Sequence, residues 1–182
     1  ANTLDESNHD SAGDAHRVVD LLTEADDQVA ELIYQLTPVN LAANELSAAL
    51  ETLLETTGDR EGIETEIVTT GRQPVRDNTV VTHLYRIARE AVTNAVEHGR
   101  AKRVRIQLHE GADEIQLSIE DDGVGFPDRV DQVKGMGIRV MEYRAGIIGA
   151  TLKLETMDAG GTRVSCTLAR RHELLEQERS AV

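Results

Sequence analysis

Residues 77–126 read DNTVVTHLYRIAREAVTNAVEHGRAKRVRIQLHEGADEIQLSIEDDGVGF. In the first half, Leu84, Ile87, Ala88, Ala91, Val92 and Ala95 recur at spacings of three and four, which lays one apolar stripe along a helix. Asp77 stands where an N-cap is wanted, so the spacing predicts a helix from Asp77 to His98. In the second half the period changes to two. Val104 to Leu108 and Ile115 to Asp121 alternate as strands, with a turn around Gly111 between them.

Outward from this core the pattern continues in both directions. Ile63 to Val68 alternates like an edge strand, and a polar link through Gly71 and Pro74 leads from it to the helix. Downstream, the glycine-rich residues 122–137 precede a helix marked by Ile138, Met141, Ala145 and Ile148. Two further strands, 151–156 and 162–168, are joined at Ala159-Gly160-Gly161. Upstream, Val18, Leu21, Leu22, Val29, Leu32, Ile33 and Leu36 mark a long helix that Pro38 ends. A second helical stretch runs from Leu41 to Leu54 and is closed by Thr56-Thr57-Gly58-Asp59. Hairpins without a regular strand–helix–strand alternation point to an α+β fold, a two-layer α/β sandwich, and disfavour a Rossmann arrangement. The expected organisation is 1–14 disordered or frayed, 15–57 helical, 58–169 the sandwich and 170–182 a charged tail.

Composition narrows the function. The 182 residues carry a net charge of −14, and phosphate repulsion then opposes direct contact with nucleic acid. Lysine occurs only at Lys102, Lys134 and Lys153 against 33 acidic residues, a surface that suits a high-salt cytoplasm as well as an ordinary acidic protein. The single cysteine, Cys166, excludes an internal disulfide and any multi-cysteine metal site. No apolar run approaches the roughly 18 residues of a membrane span, so the expected location is cytoplasmic, without membrane contact by this segment; a longer parent could still be anchored upstream.

Four constellations carry chemistry. Glu90, Asn94 and His98 are spaced by four and share one polar stripe beside the apolar one. Asparagine offers a neutral oxygen to Mg²⁺, a carboxylate can orient or deprotonate a nucleophile, and a histidine can donate to phosphate. Three solvated residues on a surface helix satisfy the same spacing. Next, in Asp121-Asp122-Gly123-Val124-Gly125-Phe126, strand alternation turns Asp121 to the core side with Ile115, Leu117 and Ile119. An inward carboxylate is costly unless it meets a donor such as the exocyclic amine of adenine, and the two glycines permit close backbone approach; an ordinary Asp-Gly turn reads equally well. The third, Gly135-Met136-Gly137-Ile138, leads into a helix whose first N–H groups suit a phosphate, with Lys134 and Arg139 flanking. Last, Thr162 follows Gly161 on a strand face shared with Val164, Cys166 and Leu168, where its hydroxyl can reach a base or Asp121.

Taken together and in this order, LYRIAREAVTNAVEHG, IEDDGVGF, KGMGIRVMEYRAGIIGATLKLET and GGTRVSCTL resemble the ATP-binding domain shared by histidine kinases, DNA gyrase, Hsp90 and MutL. Within it the chain is most similar to sensor histidine kinases with compact catalytic domains, and Leu32 to Leu41 (LIYQLTPVNL) resembles their join between dimerisation helix and catalytic domain. The resemblance, over roughly residues 28–169, implies a Bergerat-type fold, ATP and Mg²⁺ as cofactors, and γ-phosphoryl transfer to a histidine. It assigns Glu90 to activating the nucleophile or positioning water, Asn94 to Mg²⁺ and His98 to phosphate. Asp121 would read adenine with Thr162 assisting through water. Gly123, Gly125, Gly135 and Gly137, with Ile138, would shape the base pocket and lid, and Phe126 to Met136 would form a short ATP lid. The implied partner is a response regulator with a helix-turn-helix output, and the N-terminal helices imply a homodimer.

Three positions depart from the pattern. Glu97 stands where the family often has lysine before the motif histidine, and Gly149-Ala150 replaces Gly-Gly. His9-Asp10 has the dipeptide of a phosphoacceptor, but only 28 residues separate His9 from Pro38, and the acceptor could instead lie upstream or in another protein. Two other readings stay open beside the kinase: a non-catalytic nucleotide-binding regulatory or dimerisation module, and an anti-sigma-type serine kinase.

Overall fold

The computed structural model describes residues 46–125 and 135–170. The expectations for residues 1–14, His9, the helix from Ala15 to Leu36, the join at 32–41, residues 126–134 and the tail beyond Arg170 lie outside them. In chain order the described elements are α1 (Leu46–Glu61), β1 (Glu64–Gly71), α2 (Asn78–Glu97), β2 (Arg103–Glu110), β3 (Glu114–Asp121), α3 (Met136–Ile147), β4 (Thr151–Thr156) and β5 (Thr162–Ala169).

The five strands form one sheet in the order β1-β2-β3-β5-β4. Hairpins β2–β3 and β4–β5 and the β3–β5 pair are antiparallel. β1 joins the edge beside β2 in parallel, with Ile67 opposite Ile106. The parallel pair requires a crossover, and α2 supplies it. Two strand–helix–strand units are therefore built in, β1–α2–β2 and β3–α3–β4, the second with β5 inserted between its parallel strands, a feature that local alternation does not signal.

Period-two burial separates the two faces. Val104, Ile106 and Leu108, Ile115, Leu117 and Ile119, and Val164 and Cys166 are buried against the helices. The opposite face carries a row in register across all five strands: Glu66 faces Arg105, Arg105 faces Glu120, Glu120 faces Arg163, and Arg163 faces Glu155. Within that row Arg163 Nε lies 2.8 Å from Glu120 and Arg105 Nε 3.3 Å from Glu66. Each such exposed pair contributes at most about 1 kcal/mol. Their larger effect is on register, because a slip of one residue would carry the whole row to the apolar side.

α2 forms as its periodicity predicts. Asp77 caps it, Oδ1 accepting from Thr79 N–H at 2.7 Å and Val80 N–H at 3.3 Å. Leu84, Ile87, Ala88, Ala91, Val92 and Ala95 are all buried. α1 departs from expectation at its end. It does not stop at Thr56-Thr57-Gly58-Asp59 but continues to Glu61, and Gly62, at φ +65°, turns the chain. Leu46, Leu50 and Leu54 enter the same core as the sheet, and a Cβ on Gly58 would sit 3.2 Å from Thr65 Oγ1. Packing on β1 thus carries the helix through a residue whose propensity would end it.

Candidate functional site

Asp121 ends β3 on its buried face and is 8% exposed. Its Oδ1 accepts from Gly123 N–H at 2.8 Å, and the backbone N–H and hydroxyl of Thr162 also donate to the carboxylate. Burial raises its pKa above the usual carboxylate range, and these three donors oppose the rise. Thr162 therefore meets Asp121 directly, one of the two roles its strand position allowed. Gly161, at φ +85°, explains how the two strands come so close: a Cβ there would overlap Asp121 O and lie 2.7 Å from its carbonyl carbon.

The loop after β3 is pinned to the end of α2. Val124 N–H donates to Gly99 O at 2.9 Å, and a Cβ on Gly123 would overlap that same oxygen and lie 2.9 Å from Asp121 Oδ1. Asp122, whose alternative reading was a simple turn, is a clamp. Its Oδ1 accepts from Lys102 N–H at 2.7 Å and Arg103 N–H at 2.8 Å. The Arg103 and Lys102 amides hold its carboxyl below the ordinary range, against a smaller desolvation effect. The adjacent acids are thus driven in opposite directions, Asp121 by burial and Asp122 by amide donors.

Glu90 and Asn94 are half-buried on α2 and converge on the first turn of α3. A Cβ placed on Gly137 would overlap Glu90 Oε1 and lie 3.1 Å from its Cδ and 3.3 Å from Asn94 Nδ2. His98 is exposed at the C-cap of α2, its N–H donating to Asn94 O at 3.0 Å. Gly125, at φ +73°, lies over the β4–β5 turn, where a Cβ would come within 2.9 Å of Thr156 Cγ2. Gly135 occupies the N-cap position of α3 without a side-chain cap. Ile138 turns its side chain into the core, and its N–H donates to Gly135 O at 3.2 Å. The structure thus groups Asp121, Gly123, Gly125 and Thr162 at one place and Glu90, Asn94 and Gly137 at another. His9 lies outside the described residues.

Sequence reasoning missed Gly99, and it named Gly161 beside Thr162 and Asp122 beside Asp121 without giving either its part in this framework. The doubled glycine before Thr162 was a usable signal for Gly161; nothing local distinguishes Gly99 or the clamp. A separate cavity of about 220 Å³, lined by Leu53, Arg60, Arg89, Val92 and Glu97 among others, includes none of the site residues.

The family described as "Histidine kinase-, DNA gyrase B-, and HSP90-like ATPase" matches residues 79–172. Sensor histidine kinase MctS of Rhizobium johnstonii is 31% identical over 156 residues, covering 84% of this chain and 34% of MctS. Sensor histidine kinase LiaS of Bacillus subtilis is 29% identical over 147 residues, covering 78% of this chain and 39% of LiaS. The chain accordingly spans little more than a third of the length of these curated relatives. Among solved structures, the ATP-binding domain of PrrB from Mycobacterium tuberculosis superposes with a TM-score of 0.56 at 21% identity, over 68% of this chain and 92% of that one. The histidine kinase AdeS of Acinetobacter baumannii gives 0.59 at 17% identity, over 85% and 81%. At these identities the structural likeness is one of fold.

Proposed function

Because the chain belongs to the histidine kinase-, DNA gyrase B- and HSP90-like ATPase family, we propose that it is the ATP-binding catalytic part of a sensor histidine kinase, passing the γ-phosphoryl group of ATP to a histidine. Asp121 is the observation that carries this reading. A buried carboxylate, held by three donors at the end of a strand and walled by glycines, suits a planar base that brings one amine.

In this reading Asp121 accepts from the adenine amine, while Gly123 and Gly125 let the loop after β3 close on Gly99 and on the β4–β5 turn as a wall of the base pocket. The open first turn of α3, from Gly135 to Gly137, directs backbone N–H groups at the phosphates, and His98 donates from the rim. Mg²⁺ fits the donors present. Among the described residues no cluster of three or more His, Cys, Asp or Glu could enclose a metal, and Mg²⁺ commonly completes its shell with water and substrate phosphate. Asn94 would supply its amide oxygen, and the bound ion would neutralise charge on the phosphates.

Transfer proceeds as an in-line displacement. The acceptor imidazole nitrogen attacks the γ-phosphorus, a P–N bond forms, the bond to the β–γ bridging oxygen breaks, and ADP leaves with that electron pair. In this reading Glu90 receives the proton of the attacking imidazole, directly or through a water. The phosphoryl group then passes to a response regulator with a helix-turn-helix output. Residues 15–57 are read as the helical segment from the dimerisation region, with α1 its end packed on the sheet, and a homodimer would form through the N-terminal helices. His9 is the acceptor candidate within the chain, and a cytoplasmic setting follows from the chemistry.

Incubation with γ-labelled ATP and Mg²⁺, in the presence of a separately supplied dimerisation segment carrying a histidine, tests the reading. The label is expected to be acid-labile and to fall at least tenfold in Asn94→Ala, on the order expected for loss of an electrostatic group at a phosphoryl-transfer site. A label that survives acid would move the reading to a serine kinase.

A further inference from the structure

We infer that Gly137 is a positioning residue for Glu90, resting on the catalytic reading above: it is glycine because the Glu90 carboxylate is seated against its Cα. Two observations separate this from the usual reasons for glycine. The backbone at Gly137 does not adopt positive φ, unlike Gly125 or Gly161, so no conformational demand excludes a side chain. The residue also lies inside the first turn of α3, where glycine is a poorer helix former than alanine by roughly 1 kcal/mol.

What stands opposite explains the choice. A Cβ on Gly137 would overlap Glu90 Oε1 and would press on Asn94 Nδ2 at 3.3 Å. Gly146, on the same helix, has nothing within 4 Å of such a Cβ. The two helical glycines thus differ in their surroundings: one faces the polar stripe of α2 and the other faces open space. Glu90 Oε1 is the far end of a flexible side chain, so an alanine at 137 would not break the fold. It would turn the carboxylate away. Gly137 thereby couples the start of α3 to the direction in which Glu90 points, and the phosphate-facing turn and the proton acceptor are set by one residue.

The test compares Gly137→Ala, Glu90→Asp, the double variant and Gly146→Ala. Thermal unfolding without nucleotide is measured first. Gly146→Ala should raise Tm, as a plain glycine-to-alanine change in a helix does. Gly137→Ala should fail to raise it in the parent but raise it in the Glu90→Asp background, where the shorter side chain withdraws the carboxylate. Transfer is measured second. Gly137→Ala should lower the rate at saturating ATP by about a hundredfold, the scale for a misplaced catalytic group, a larger factor than any change in the ATP dissociation constant. The double variant should recover part of that loss.

Equal Tm shifts for Gly137→Ala in the parent and in the Glu90→Asp background would overturn the inference. So would a variant that weakens ATP binding but transfers at the parental rate once saturated. If the parent itself binds no ATP, the kinase reading falls and the catalytic consequence falls with it. The nucleotide-free Tm cycle would still report whether Gly137 seats Glu90.

Discussion

Asp121→Asn removes the charge at the proposed base-reading position while keeping its shape. A carboxylate offers about four lone-pair directions. Gly123 N–H takes one of them and Thr162 brings further donors, so a base amine would complete a carboxylate that is already partly satisfied. A hydrogen bond to a charged acceptor is worth about 1.5–3 kcal/mol, or about 10- to 150-fold in affinity at 1.4 kcal/mol per decade. Asparagine has only one oxygen to divide among these donors, and its NH₂ must oppose either an internal N–H or the amine of the base. The loss should therefore lie toward the upper end of that range. Titration with a fluorescent ATP analogue and Mg²⁺ reads it, with circular dichroism and Tm on the same samples. GTP offers a carbonyl where ATP offers the amine, and should bind the parent far more weakly. A dissociation constant within threefold of the parent, in a folded Asp121→Asn protein, would refute the placement of the base at this carboxylate.

Asp122→Asn should lower Tm at neutral pH, since its carboxylate holds the Lys102 and Arg103 amides; exposure limits the effect to about 1 kcal/mol. The folded pKa is depressed, so this stabilisation is present above the unfolded value and lost as pH falls through the folded one. The parent–variant difference should therefore vanish in acid. Asp121 has the opposite sign: its raised pKa makes folding take up protons, and its contribution falls as pH rises from the unfolded to the folded value. Gly161→Ala should cost upwards of about 3 kcal/mol, because a positive φ is joined to overlap with the Asp121 backbone. Denaturant titration would expose that reasoning as wrong if the midpoint did not move. Cys166 is fully buried and its thiol is pushed up to about 11 by burial. Alkylation at neutral pH should wait for unfolding, and rapid labelling of the native protein would contradict its place in the core.

Much of the fold was legible because its signals are local. The three-and-four spacing from Leu84 to Ala95 and the cap at Asp77 specify α2 without reference to any other element. Alternation from Ile115 to Asp121 turns Asp121 inward by the same arithmetic that buries Ile119, so the most informative residue of the site could be found on paper. Order along the chain did the rest, because four modest constellations in one sequence are specific where each alone is not.

Pairing was not legible. β1 runs parallel to β2, and β5 lies between β3 and β4, because burial of a shared apolar face selects among pairings whose strands look alike in isolation. The end of α1 escaped for a related reason, since contact with β1 outweighs the propensity of Gly58. Clamps such as Asp122 escaped too, as their partners lie some twenty residues away. Glycine shows the division most plainly. The order of residues places each glycine and marks a nucleotide-binding loop, but it leaves open what any one of them is for. Gly161 makes room for the Asp121 backbone and Gly137 for the Glu90 carboxylate. A residue without a side chain is defined by what stands opposite it, and that neighbour is brought there by the fold.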